Sequence, residues 1–196
     1  MNTPNKLTLA RMIATPIFMA VMLIEGLPYR YLISLVLFAA ASLTDMIDGK
    51  MARKYNLITD FGKFLDPLAD KMLTTAAYLG FIFVFRNTVF CWHMVAIVFI
   101  VLFREFMVSS IRLVVVSSGG KVIAANMWGK CKTVSQMLSI IVALLAYVVI
   151  GDFGMTNIAD ICNIVIIALF WISAILCIIS GAIYLMASKD YINPSK

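Results

Sequence analysis

Five aspartates crowd into one short stretch of a chain that is otherwise mostly apolar. The stretch Thr44–Lys71 holds five of the ten acidic residues of the protein. Four of them form two pairs, which are Asp45 with Asp48 and Asp66 with Asp70. On helices, spacings of three and four residues place the two members of each pair on one face. Carboxylates presented in this way can hold cations or accept protons, so this stretch carries the candidate chemistry of the chain.

Divalent cations are the natural neutraliser of such a set, because four converging carboxylates would otherwise repel one another. Oxygen ligands without His or Cys favour Mg²⁺ or Mn²⁺ over zinc. Four aspartates suffice for two ions that share ligands, as in phosphoryl-transfer sites. Structural ion pairs are the alternative for any single aspartate. Asp66 could also cap a helix because it precedes Pro67, and Asp60 is predicted to be a loop residue.

The composition predicts where these aspartates lie. The chain has 196 residues, of which 63% are hydrophobic and only 13% are charged. Its mean hydropathy is +0.99, whereas a soluble domain has roughly half apolar and about a quarter charged residues. We therefore expect a single all-α integral membrane domain that covers residues 1–196, surrounded by membrane lipids and without a nucleic-acid partner.

Six stretches are apolar enough to cross a membrane, which takes about 20 residues each. Their predicted bounds are Leu7–Ile24, Tyr31–Met51, Pro67–Phe85, Thr88–Val116, Thr133–Ile150 and Ile158–Ala187. The second and third are joined by roughly a dozen residues, so we expect them to be antiparallel neighbours. The predicted architecture is a six-transmembrane-helix bundle.

Basic residues fall mainly on one side of this predicted bundle. That side collects Lys6, Arg11, Lys50, Arg53, Lys54, Lys63, Lys121, Lys130, Lys132, Lys189 and Lys196, and the other side has Arg30 and Arg86. The positive-inside rule then predicts that both termini are cytoplasmic. Charges inside the spans lie toward the same side, and intramembrane charges usually face a cavity or a partner. We expect a polar cavity in the cytoplasmic half of the bundle.

A longer pattern surrounds the four aspartates. It reads Asp45-x2-Asp48-Gly49-x2-Ala52-Arg53-x8-Gly62-x3-Asp66-x3-Asp70. The small residues leave room for a ligand to approach the backbone, and an arginine suits phosphate. The whole pattern resembles the signature of the CDP-alcohol phosphotransferase family at every fixed position.

That resemblance implies a six-helix membrane enzyme, typically a homodimer, that transfers a group from a CDP-linked donor to an alcohol and releases CMP. It implies that the four aspartates hold the metal ions and that Asp70 is also the catalytic base. The nucleotide contacts that it implies are Gly49, Ala52, Arg53, Thr59 and Gly62.

Three further stretches resemble the bacterial members that use CDP-diacylglycerol and sn-glycerol 3-phosphate. They are Asn2–Arg11, Arg104–Ala125 and Trp128–Met137. This resemblance implies synthesis of phosphatidylglycerol phosphate at the bacterial cytoplasmic membrane. The last two spans resemble the family only in being apolar.

The acceptor phosphate needs cations of its own inside an apolar bundle. The candidates are Arg104, Arg112, Lys130 and Lys132. Glu105, Ser109 and Arg112 share one stripe of the fourth span, so Glu105 is expected to orient Arg112. His93 lies toward the other side, where we expect an interfacial residue without a catalytic role.

Two alternatives remain open. The same chemistry could use inositol phosphate, phosphatidylglycerol or serine as the acceptor, although a phosphate-free acceptor would not need the arginines. A divalent-cation transporter could also contain intramembrane aspartates. We consider the transporter remote, because its polar groups should follow the whole bilayer depth, and transporters often have repeated halves.

Overall fold

Six long helices make up almost all of the part of the chain that the computed structural model describes. The backbone is described for residues 2–54, 59–117 and 127–191, and side chains are described within these ranges except at 3–4, 46–54, 60–61, 63–64, 66 and 190. The long helices are α1 Thr3–Leu23, α2 Arg30–Lys54, α3 Asp60–Val84, α4 Phe90–Ser117, α5 Met127–Tyr147 and α6 Ala159–Ala187. Short helical turns follow at Val148–Asp152, Thr156–Ile158 and Lys189–Tyr191.

The predicted all-helical class is therefore confirmed. Among the described residues, four helical segments are long and apolar enough to cross a membrane: Asn5–Leu23, Phe90–Ser117, Met127–Asp152 and Thr156–Ala187. These segments make the chain a multi-pass membrane protein. The other two long helices, α2 and α3, are the ones that contain the aspartates of the signature.

Helix α3 begins earlier than the sequence predicted. It starts at Asp60, and the side chain of Thr59 caps it by accepting a hydrogen bond from the backbone N–H of Gly62 at 3.0 Å. Pro67 lies inside the helix. The prediction that Asp60 is a loop residue is therefore wrong, and Asp66 is not the helix cap. Helix α2 is described as far as Lys54, and the predicted loop between the two helices lies partly outside the described residues.

Helix α1 lies between the two helices of the signature. It packs extensively against both α2 and α3, whereas those two contact each other only slightly among the described residues. Helix α6 packs against α4 and α5, and the two groups are joined where α5 contacts α2 and where α4 contacts α3. The expectation that α2 and α3 are direct neighbours is thus corrected, because the interface that positions them is provided by α1.

Aromatic rings fill the centre of the bundle toward the end away from the signature. The ring of Phe81 lies 5.4 Å from Phe170 and 6.2 Å from Tyr147, and Phe85 lies 5.8 Å from Tyr147. Helix association in lipid depends on close packing and interhelical hydrogen bonds, because lipid tails are as apolar as the helices. The buried hydroxyls of Tyr78 and Ser173, 3.1 Å apart, provide such a bond between α3 and α6.

Asp152 caps the first turn of α2 at the same end of the bundle. The carboxylate of Asp152 accepts hydrogen bonds from the backbone N–H groups of Tyr31 at 3.4 Å and Leu32 at 2.8 Å. These N–H groups belong to the first turn of α2, where a carboxylate also interacts favourably with the helix dipole. The cap fixes the start of α2. His93 lies in the first turn of α4, toward the same end of the bundle, and its Nδ1 accepts a hydrogen bond from Trp171 Nε1 at 3.3 Å.

Candidate active site

A polar stripe on α1 faces the two helices of the signature. Its members are Asn5, Thr8, Arg11 and Thr15, and their exposed fractions are only 6%, 1%, 2% and 4%. Spacings of three and four residues place them on one helical face. Buried polar groups need hydrogen-bond partners, so this stripe fixes how α1 sits on α2 and α3. The sequence interpretation missed its importance, although polar residues at helical spacing in an apolar span were visible.

Arg11 holds one of the signature carboxylates. Its Nη1 donates to Oδ1 of Asp45, and the arginine side chain is 1% exposed while the aspartate is 40% exposed. The hydroxyl of Thr15 donates to the backbone oxygen of Arg11 at 2.9 Å. Arg11 therefore offsets part of the negative charge of the site and leaves the outer part of the Asp45 carboxylate open to a ligand.

A second contact joins α1 to the start of α3. The side-chain amide of Asn5 donates to Thr59 Oγ1 at 2.8 Å, and the same oxygen caps α3. A Cβ atom on Gly62 would lie 2.8 Å from Asn5 Oδ1, which is too close for an ordinary contact. Gly62 and Thr59 thus have structural roles, and their predicted contacts with a nucleotide stay a prediction.

Replacement of Thr59 by alanine should destabilise the protein by about 1–3 kcal/mol, because both the cap and the acceptor of the Asn5 amide are lost. Thr59→Ser keeps the hydroxyl oxygen and should be close to wild type. Thermal unfolding of the purified variants in detergent measures the difference. Equal stability of the alanine and serine variants would contradict this role of the hydroxyl.

A cavity of about 560 Å³ opens between α1, α3, α4 and α5. One part of its wall is polar and contains Thr15, Asp70, Lys71, Thr74, Thr75, Glu105, Lys132, Thr133 and Gln136. The other part is apolar and contains Pro16, Met19, Leu68, Met72, Ala76, Leu79, Val101, Leu102 and Phe106. A ligand with a charged end and an apolar end matches a wall of this kind.

Asp70 is exposed to this cavity and lies among both kinds of charge. Asp45 and Glu105 repel its carboxylate, whereas Lys132 and Arg11 attract it. Asp45 and Asp70, one member of each predicted aspartate pair, are therefore near enough for their charges to interact. This position suits a carboxylate that binds a cation or takes a proton from a ligand in the cavity.

The carboxylate of Glu105 contacts three basic side chains on the cationic side of the cavity. Lys132 Nζ donates to Glu105 Oε1, Arg104 Nη1 donates to the same oxygen at 3.1 Å, and Lys71 Nζ lies 3.7 Å from Oε2. The expectation that Glu105 orients Arg112 is wrong, because its partners come from α3, from α5 and from the preceding residue. Among the described side chains, Lys71, Glu105 and Gln136 are cavity residues that the sequence interpretation did not select.

The four predicted acceptor residues are placed differently. Lys132 is buried in the cavity wall. Arg104 donates to Ser180 Oγ on α6 at 2.7 Å, and a Cβ atom on Gly181 would lie 2.9 Å from its Cγ. Lys130 and Arg112 are exposed and do not belong to the described lining. The structure thus brings Lys132 to the cavity directly and Arg104 through Glu105.

The rest of the signature lies partly outside the described side chains. Asp48, Gly49, Ala52 and Arg53 lie in the last turns of α2, and Asp66 lies in α3, but only their backbone is described. In the described side chains, no group of three or more His, Cys, Asp or Glu could hold a metal ion. The donors that can be assessed, Asp45 and Asp70, are carboxylates, and the cavity lining contains neither His nor Cys. This donor chemistry fits Mg²⁺ or Mn²⁺.

Comparison with known proteins adds independent information. The sequence model of the CDP-alcohol phosphatidyltransferase family matches residues 1–183. A Bacillus subtilis (strain 168) protein is 44% identical over 155 residues, which cover 74% of this chain and 77% of the relative. Proteins of Rickettsia bellii (strain RML369-C) and Haemophilus influenzae (strain ATCC 51907 / DSM 11121 / KW20 / Rd) are each 36% identical, over 97% and 96% of this chain and 97% and 94% of their own lengths. All three are named CDP-diacylglycerol–glycerol-3-phosphate 3-phosphatidyltransferase.

Proposed function

The chain belongs to the CDP-alcohol phosphatidyltransferase family, and from that premise we propose that it is a phosphatidylglycerophosphate synthase. The proposed reaction transfers the phosphatidyl group from CDP-diacylglycerol to sn-glycerol 3-phosphate and gives phosphatidylglycerol phosphate and CMP. The observation that carries the proposal is the similarity, along almost the whole chain, to relatives named for this reaction. The cavity supports it, because acidic, cationic and apolar walls meet there.

The proposed chemistry has one bond-forming and one bond-breaking event. A hydroxyl oxygen of glycerol 3-phosphate attacks the β-phosphorus of the CDP-lipid, which carries the diacylglycerol. The bond from that phosphorus to the oxygen bridging the two phosphates breaks, and CMP leaves. Asp70 accepts the hydroxyl proton, since a glycerol hydroxyl is a poor nucleophile until its proton is removed. The position of Asp70 in the cavity wall suits this role.

The residues proposed to hold Mg²⁺ or Mn²⁺ are Asp45, Asp48, Asp66 and Asp70. Two bound ions would neutralise the pyrophosphate and stabilise the charge of the leaving CMP. Arg11 keeps the Asp45 carboxylate in place from α1. Gly49, Ala52, Arg53, Thr59 and Gly62 are proposed to contact the nucleotide, on the strength of the signature.

The acceptor phosphate is proposed to bind near Lys132, with Arg104, Arg112 and Lys130 as the further candidates of the sequence pattern. Burial of Lys132 in the wall of the cavity that Asp70 also lines supports its place in this set. The lipid chains are proposed to lie along the apolar wall of the cavity, near Leu79 and Phe106. This arrangement would keep the reacting groups at the depth of lipid head groups.

The membrane arrangement that we propose has six spans, a polar cavity in the cytoplasmic half and both termini in the cytoplasm. The distribution of basic residues supports this orientation. The protein would then lie in the bacterial inner membrane, with the acceptor and CMP exchanging with the cytoplasm. We also propose a homodimer, on the basis of the family resemblance alone.

One assay tests the proposal. The purified protein receives CDP-diacylglycerol, Mg²⁺ and one acceptor at a time, and CMP release is followed. We expect release with glycerol 3-phosphate and only background with inositol phosphate, phosphatidylglycerol or serine. In sealed membrane vesicles, externally added glycerol 3-phosphate should support release only when the cytoplasmic face points outward. Release with a different acceptor alone would reject the substrate, and no release with any alcohol would reject the enzyme.

A further inference from the structure

The cluster around Glu105 contains more positive charge than its own carboxylate can balance. Lys71, Arg104 and Lys132 all contact Glu105. Their side chains are 36%, 12% and 9% exposed, in that order, and Glu105 is 16% exposed. Partly buried charges are unfavourable when they are not compensated. Even when Asp70 is counted as a second carboxylate that interacts with this cluster, the three cations leave a net positive charge, which favours the arrival of an anion.

Lys71 is the member of the cluster that is most available to a ligand. Lys71 lines the cavity. Its ammonium group donates to Ser109 Oγ and lies 3.7 Å from Glu105 Oε2, beyond ordinary hydrogen-bond length. An ammonium group has three N–H donors, so Lys71 can still donate to a ligand. It also follows Asp70 directly, and neighbouring helical residues point roughly 100° apart. The side chains of Asp70 and Lys71 can therefore contact different parts of one substrate.

The carboxylate of Glu105 links two lysines that belong to different helices. It lies on α4, Lys71 lies on α3, and Lys132 lies on α5. Each of its carboxylate oxygens is near a different lysine. A lysine has a long flexible stem, and holding its ammonium group in place before the ligand arrives lowers the ordering needed on binding.

We propose that Glu105 is a positioning residue that holds Lys71 and Lys132 at the cavity wall, as a pair of ammonium groups that binds the phosphate of the acceptor alcohol. The proposal rests on the function proposed above and adds Lys71 and Glu105 to the acceptor site. The ligand group is a phosphomonoester, whose negative charge offsets the excess positive charge of the cluster.

The direction in which KM for glycerol 3-phosphate changes in Glu105→Gln distinguishes a positioning role of Glu105 from a purely electrostatic one. Glu105→Gln keeps the size of the side chain and removes a negative charge from beside an anion site. Charge alone would then tighten binding of glycerol 3-phosphate. The loss of positioning acts in the opposite direction, so the proposal expects KM for glycerol 3-phosphate to rise, by about tenfold, with kcat within about twofold of wild type.

A double-mutant cycle tests whether Glu105 acts through Lys71. Lys71→Met should also raise this KM about tenfold, and the double variant should resemble the single ones rather than show a product of about a hundredfold. Glu105→Asp should recover part of the loss. Lys189→Met, at an exposed lysine outside the described cavity lining, is the matched control and should not change KM.

Further measurements separate a loss of acceptor binding from misfolding and from a loss of donor binding. The unfolding temperature in detergent and KM for CDP-diacylglycerol should stay near the wild-type values in each variant. If Glu105→Gln does not fold, KM for glycerol 3-phosphate is compared between Lys71→Met and Glu105→Asp instead. Calorimetry measures glycerol 3-phosphate binding without turnover. Binding by a wild-type protein that releases no CMP would reject the proposed function and leave the lysine pair intact. An unchanged or lowered KM in Glu105→Gln, or multiplicative effects in the double variant, would overturn the positioning role.

Discussion

Asp70→Asn is expected to reduce CMP release by about a thousandfold or more while CDP-diacylglycerol still binds. General-base catalysis contributes typically about 10²–10⁴-fold, and an amide cannot take the proton of the attacking hydroxyl. The substitution keeps the shape of the side chain, which faces the cavity from α3. Turnover under saturating substrates and lipid binding measured separately therefore give the kcat effect and the binding effect independently.

The controls for Asp70 separate its two proposed roles. If Asp70 mattered only as a metal ligand, raising the Mg²⁺ concentration would restore turnover in Asp70→Asn, because an amide oxygen can still coordinate weakly. We expect no such recovery. Asp160→Asn is the matched control, since Asp160 is exposed in the first turn of α6 and lies outside the described cavity lining. Turnover within tenfold of wild type in Asp70→Asn would remove Asp70 as the base.

The start of α3 shows how far local sequence signals reach. Asp66 followed by Pro67 is a good local signal for a helix start, yet the helix begins at Asp60. The cap at Thr59 is strengthened by Asn5 of α1, more than fifty positions away. A partner at that distance cannot be read from the residues around the cap. Apolar length, by contrast, sufficed to predict the six long helices, because each signal is local to its own helix.

The partners of Glu105 illustrate the same limit in the site. Helical spacing correctly identifies which residues share a face of α4, and it suggested Arg112 as a partner for Glu105. The observed partners on α3 and α5, Lys71 and Lys132, depend on which helices pack together. The two aspartate pairs could be proposed from spacing alone, because both members of each pair lie on one helix. Arg11 was noticed only for its charge, and its contact with Asp45 required the packing of α1 on α2.

The proposed function would use cations of two kinds, and the described charges are consistent with both. Asp45 already has a fixed counterion in Arg11, and Glu105 has three cationic contacts. Asp70 is repelled by both of these carboxylates. A pyrophosphate entering beside Asp45 and Asp70 would add more negative charge. In the proposed function, the lysine side of the cavity serves a phosphate, and the aspartate side would take a cation from solution.

Removal of divalent cations is accordingly expected to reduce CMP release to background. The pyrophosphate of the donor and the signature carboxylates carry charge of the same sign, and in an apolar surrounding their repulsion is poorly screened. Activity should return with Mg²⁺ or Mn²⁺ and not with Zn²⁺, because the predicted ligands are carboxylates without His or Cys. The control is chelator already saturated with Mg²⁺, and full activity in excess chelator would contradict a metal-dependent reaction.

A second readout makes this prediction independent of turnover. An ion that binds the folded protein raises its stability by an amount that grows with ion concentration, so Mg²⁺ should raise the unfolding temperature of the substrate-free protein. Asp45→Asn should weaken that rise, because it removes a proposed ligand, while Asp160→Asn should keep it. Arg11 occupies only part of the Asp45 carboxylate, which is 40% exposed, and so leaves room for an ion. If Mg²⁺ stabilised both variants equally, Asp45 would serve as the partner of Arg11 and not as a metal ligand.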